Sequence, residues 1–159
     1  MTDNYIQIND DDLVVLKIKK NGKETGEQLT FDMNDMELPL LYQDMIFKIQ
    51  KNKEKLQNDF RVIEKREDVK GKKLFSKNEE DKFKAFNEYM KKMEEAYNMF
   101  LGPDGVKKLL DGRKLGFTTL AMIDDIIEKQ IAPHLELTAD SIIDKIKNKY
   151  GSKDKEELK

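Results

Sequence analysis

Residues 76–105, SKNEEDKFKAFNEYMKKMEEAYNMFLGPDG, hold the most regular pattern in the chain. Phe83, Phe86, Met90, Met93, Tyr97 and Phe100 recur at alternating steps of three and four, the repeat that lines one face of an α-helix. Ser76 and Glu79 supply the S-x-x-E arrangement of a capping box, in which each side chain satisfies the other residue's free backbone amide. Gly102-Pro103-Asp104-Gly105 then stops the helix, because Pro lacks an amide and Gly accepts left-handed backbone. The spacing predicts a helix over about 77–101.

Upstream, Tyr42, Ile49, Leu56 and Ile63 repeat at sevens, with Ile46 and Phe60 four residues after two of them and Lys53 in the equivalent slot between. Pro39 suits a first helical turn. This predicts a second long helix over roughly 38–67 with a narrow apolar stripe. Residues 68–75 form a short connector broken by Gly71, so the two helices pair as an antiparallel αα-hairpin.

The pattern changes to period two before residue 35. Val14, Leu16 and Ile18 alternate with other residues, as do Leu29 and Phe31, around the loop-forming stretch 21–26. A β-hairpin over about 13–31 follows, with residues 5–8 as a possible third strand. Beyond the Gly-Pro corner come three shorter helices. One covers about 104–111 and is stopped by Gly112 at its C′ position. The next is capped by Thr118 or Thr119 and runs to about 131 before Pro133. The last is capped by Thr138 and carries Ile142, Ile146 and Tyr150 up to Gly151.

The fold class is therefore mainly α with a small N-terminal antiparallel β-hairpin (α+β). The hairpin region spans 1–35, the long helical hairpin 36–101, the short helices 102–151 and a frayed tail 152–159, all within one folded domain.

Composition narrows the function. Of 159 residues, 38% are hydrophobic and 39% charged, against ~25% charged in an average soluble protein. Thirty Lys+Arg nearly balance 32 Asp+Glu, and the net charge of −2 argues against a dedicated nucleic-acid binder. The absence of Cys excludes disulfides, thiol catalysis and Cys-based metal sites. No run approaches the ~20 apolar residues of a membrane span. The opening MTDNYIQINDDD lacks the basic and apolar regions of a signal peptide, so a cytoplasmic protein without membrane contact is expected.

Groups that could carry chemistry have simpler readings. His134, the only histidine, stands beside Pro133, Leu135 and Glu136 without a partner pattern. Asp10, Asp11 and Asp12 lack calcium-loop spacing and read as a solvated turn. Asp124, Asp125 and Glu128 sit early in a helix, where acidic residues favour the macrodipole. The run from Gly102 to Lys108 is not a nucleotide-binding loop. The cations Arg61, Lys65, Arg66, Lys70, Lys72, Lys73 and Lys77 alternate with Glu64, Glu67 and Asp68. No catalytic residue, metal site or cofactor is expected.

Two narrow stripes, a hairpin and short helices present more apolar edge than one small core absorbs. The eight Met residues suit an adaptable binding surface. Most of Phe83, Phe86, Met90, Met93 and Tyr97 read as core at helical spacing, and the surplus edge among Tyr42, Ile46, Ile49, Phe83, Phe86, Met90, Met93 and Tyr97 is expected to bind a helical protein partner. Val14, Leu16, Ile18, Leu29 and Phe31 mark an edge expected to support a homo-oligomer.

The string FNEYMKKMEEAYNMFLGPDGVKKLLDGRKLGFTTLAMIDDIIEKQIAP, residues 86–133, resembles the tail assembly chaperones of long-tailed (siphovirus-like) bacteriophages or prophages of Gram-positive bacteria. The likeness rests on Phe100-Leu101-Gly102, on Gly105 to Leu109, on Asp111-Gly112-Arg113 and on Ile131-Ala132-Pro133. It covers roughly residues 80–150, with a looser match in the hairpin, and its motifs are short and structural. The Gly102-Pro103-Asp104-Gly105 corner departs from the more compact glycine corner of that family. The resemblance implies a non-virion assembly factor that coats the hydrophobic helical tape-measure protein during tail morphogenesis and catalyses nothing. It also implies a longer form made by translational frameshifting. The alternative is a structural phage or adaptor protein acting through helix-mediated contacts.

Overall fold

The computed structural model describes residues 4–148. Strands β1 (Leu13–Lys20) and β2 (Lys23–Asp32) form a two-stranded antiparallel sheet. Asn21 and Gly22 both take left-handed backbone, φ 53° and 80°, which gives a two-residue turn whose twist matches the strands. The loop expected over 21–26 is therefore shorter. Its second part is a bulge in β2, where the register shifts opposite Ile18 and Gly26 adopts φ 85°. Thr25 fixes the bulge by donating its hydroxyl to the Ile18 carbonyl at 3.2 Å. Residues 5–8 are not a strand. Leu16 pairs with Leu29 and Val14 with Phe31, so these side chains share one face.

Helix α1 (Leu38–Lys65) and helix α2 (Lys77–Leu101) pack together as the expected αα-hairpin. Among the described residues three shorter helices follow: α3 (Gly105–Leu110), α4 (Phe117–Ile126) and α5 (Ala139–Ile146). The part of the last helix expected around Tyr150 and Gly151, and the tail beyond it, lie outside the described residues. Phe117 meets Phe86, and about two turns later Asp124 meets Tyr97, so α4 runs alongside α2 in the same direction.

Gly112 stops α3 as expected: it and the C-cap Asp111 both take left-handed backbone, φ 80° and 51°, and the Gly112 amide donates to the Lys107 carbonyl. The Gly116 amide donates to the Thr119 hydroxyl at 2.7 Å, so Thr119 closes the start of α4 from its third position. The expected single helix to residue 131 continues from α4 as a π turn, Ile127–Ile131. A four-residue step overshoots a 3.6-residue turn. The wider turn takes up the excess and keeps Ile123, Ile127 and Ile131 all buried.

The core gathers at one end of the αα-hairpin. Leu29 and Phe31 of the sheet, Leu38 and Met45 of α1, Met93, Tyr97 and Phe100 of α2, and Val106, Ile123, Ile127 and Leu135 beyond are all buried there. The Phe100 ring lies 5.3 Å from Phe31 and 5.1 Å from Tyr42, joining sheet, α1 and α2. Toward the connector the seam thins. α1 offers Tyr42, Met45, Ile49, Asn52, Leu56, Asp59 and Ile63 at steps of three and four, so polar groups replace apolar ones with distance. Asn52 turns this to use by donating its amide to the Met93 sulfur at 3.8 Å. Ile46 lies outside the seam and is 49% exposed, because Met45 takes the inward position.

Gly105 opens α3 directly against α2, and a Cβ there would overlap the Leu101 Cβ. Gly105→Ala should destabilise the fold by about 1–3 kcal/mol in urea denaturation. Gly71→Ala, in open space, should leave stability nearly unchanged.

Candidate protein-binding face

The capping box read in the sequence is formed. The Glu79 amide donates to the Ser76 hydroxyl at 3.2 Å, and the Ser76 amide to the Glu79 carboxylate at 2.9 Å. This fixes where α2 begins and therefore where Phe75 and Phe83 stand. Their rings are 4.7 Å apart. One turn along α2, Phe86 stacks on Phe117 at 4.5 Å with an interplanar angle of 29°. Four aromatic rings thus follow one another from the connector, across α2, to the first residue of α4. Phe75 is 41% exposed, Phe83 52% and Phe117 78%. A contiguous apolar patch of this kind marks an interaction surface more often than an isolated exposed side chain does.

The expected partner-binding residues divide. Phe83 and Phe86 belong to the row. Met90, Met93 and Tyr97, farther along the same helix, are buried in the chain's own core. For these three the core reading of helical spacing applies and a partner has no access, because α1, α3 and α4 cover the second half of α2. The buried Tyr97 hydroxyl donates to the Asp124 carboxylate, and burial with that hydrogen bond pushes its pKa far above the ordinary range. On α1, Tyr42 and Ile49 are half-buried against α2, while Ile46 faces outward away from the aromatic row. Leu29 and Phe31 are also core residues, so their side chains do not offer an association surface; Val14, Leu16 and Ile18 remain half-buried. Phe75 and Phe117 were not among the expected residues. Both fall just outside a helical repeat, one in the connector and one at a helix start, where periodicity gives no signal.

The connector that carries Phe75 is pinned by polar contacts. The Asn78 side chain donates to the carbonyls of Ile63 and Arg66, both at 3.1 Å, and so closes the end of α1. Asp68 accepts from the Asn78 amide at 3.0 Å and the Val69 amide at 2.9 Å. Part of the basic cluster is paired on the spot, and Lys82 nearby is paired too. Arg66 and Lys77 share Asp81 at 3.2 and 3.1 Å, Lys73 lies 3.9 Å from Glu80, and Lys82 pairs with Glu64 at 3.1 Å. Such exposed pairs each contribute little to stability.

Among the described residues no three His, Asp or Glu side chains gather where they could hold a metal ion. Every buried side-chain nitrogen or oxygen among them has a partner. No helix among them is long and apolar enough to cross a membrane. His134 is exposed, Asp125 pairs with Lys129 at 2.7 Å, and the Gly102–Gly105 corner is tied by the Val106 amide donating to the Asn98 side chain at 3.0 Å.

Comparison with known proteins finds no matching protein-family model, no matching curated protein and no matching solved structure.

The connector should be acid-sensitive. The Ser76 hydroxyl, then the Asn78 amide, hold the Asp68 carboxyl below its usual range. The Ser76 amide does the same for Glu79, and the Lys77 ammonium for Asp81. A carboxyl with a lowered folded pKa stabilises the fold fully above its ordinary value of about 4 and loses that contribution as pH falls through the lowered value. Amide-exchange protection of Asn78 and Glu79 should therefore hold at about pH 5 and fall below about pH 4, with a smaller fall in Asp68→Asn. Equal protection across that range would contradict the assignment.

Proposed function

We propose that this chain is a helix-binding protein that works by holding a partner and not by catalysing a reaction. More particularly, we read it as a tail assembly chaperone of a long-tailed bacteriophage or prophage, acting in the host cytoplasm on the hydrophobic helical tape-measure protein. The observation that carries the reading is the aromatic row Phe75, Phe83, Phe86 and Phe117, in which three exposed rings flank the half-buried Phe86.

The physical argument runs from the rings to the partner. Aromatic side chains have few rotatable bonds, so they bury large area at low entropic cost, and they are enriched at protein interfaces. An amphipathic helix offers apolar anchors at i, i+3, i+4 and i+7 that a row of rings can seat. The surrounding helices are densely charged with both signs, which keeps a holder of apolar segments dispersed in water. The resemblance of residues 86–133 to tail assembly chaperones supplies the identity of the partner.

The test is co-expression with the tape-measure protein of a long-tailed phage or prophage whose genome carries this sequence, followed by affinity capture. A stable complex is expected. Phe83→Asp combined with Phe117→Asp should weaken it by at least about tenfold, with helicity and melting temperature retained because both side chains are exposed. Unchanged binding in that double variant would remove the aromatic row from the proposal.

A further inference from the structure

We propose that a second copy of this chain docks in the groove beside β1, through its own segment Tyr5–Asn9 added as a parallel strand. This lies apart from the aromatic row and stands whether or not a helix binds there.

The groove, about 550 Å³ in volume, follows the free edge of β1 from Val15 to Lys19. Its floor is apolar, formed by Leu16, Ile18, Leu109, Ile126 and Ile131. A strand edge with unpaired backbone beside an apolar trough is a template for strand addition, in which main-chain hydrogen bonds give affinity and alternate side chains fill the trough. The chain itself carries a matching segment. Ile6 and Ile8 alternate with polar residues, are 92% and 79% exposed, and belong to no strand. Among the described residues, none of 4–9 lines the groove.

Charge and connectivity select the orientation and the occupant. In a parallel alignment Ile6 lies beside Leu16 and Ile8 beside Ile18, facing the floor, and Asp10 arrives at Lys20, with Asp11 and Asp12 just past the end of β1. An antiparallel alignment carries the three aspartates toward the receiving copy's own Asp10–Asp12, where like charges repel. A parallel pair within one chain needs a crossover of about a dozen residues or more, and only Asp10, Asp11 and Asp12 separate the segment from β1. The parallel strand must therefore come from another molecule.

The chain has no Cys, so engineered thiols report without background. A copy carrying Ile8→Cys, mixed with a differently tagged copy carrying Ile18→Cys, should form a disulfide between the two under mild oxidation. Light scattering after size exclusion, on the unmodified protein alone at about 200 µM, should show species larger than a monomer. Ile6→Asp with Ile8→Asp should return these to monomer with an unchanged melting temperature, since both residues are exposed. Lys19→Glu with Lys20→Glu should weaken association at least about tenfold. A monomer at that concentration, or an Ile8→Cys, Leu13→Cys variant that closes readily within one chain while the mixed pair does not, would overturn the proposal.

Discussion

Phe100 is the place where three parts of the molecule are obliged to meet. Its ring touches Phe31 from the sheet and Tyr42 from α1 while its own helix continues to the Gly102 corner. A two-stranded hairpin is marginal in water by itself, and here one face of it is closed by this contact. α3 and the π turn then complete the wall around Leu29 and Phe31. Because the apolar supply is concentrated at this end, the remainder of the αα-hairpin is a pair of long helices with a thin seam. The aromatic row begins on that less covered half.

Much of this arrangement was legible in the residues. The capping box of Ser76 and Glu79, the Gly102–Gly105 corner and the seven-residue repeat of α1 each name a local geometry, and each forms as read. What escaped the sequence has identifiable causes. Met45, Ile46 and Phe47 are consecutive apolar residues, so periodicity could not choose which one turns inward. A π turn changes backbone register without changing which residue types appear, and Ile123, Ile127 and Ile131 read equally well as plain helix. Lys23 and Glu24 look like loop residues, yet a hairpin strand solvated on one side accepts them.

The aromatic row was legible only in half. Helical spacing singled out Phe83 and Phe86 but could not separate them from Met93 and Tyr97, because one repeat serves both the exposed and the covered part of α2. That distinction arises from α4, whose starting position decides how far along α2 the covering extends. Phe75 and Phe117 join the row through tertiary placement: one is set by the pinned connector, the other by the side-by-side course of α4 and α2.

The short tether between α1 and α2 also bears on how the chain reaches this state. Asn78 reaches back to Ile63 and Arg66 across only a small loop, whereas Phe31 and Phe100 are far apart in the chain. Closing a small loop costs less chain entropy than closing a large one. Pairing of the two long helices is thus favoured to start at Asn78 and zip toward Phe100, with the hairpin docking last. Folding would begin where the finished molecule is least greasy and end where it is most so. In φ-value terms, Asn78 belongs to the nucleus and Phe31 to the late contacts.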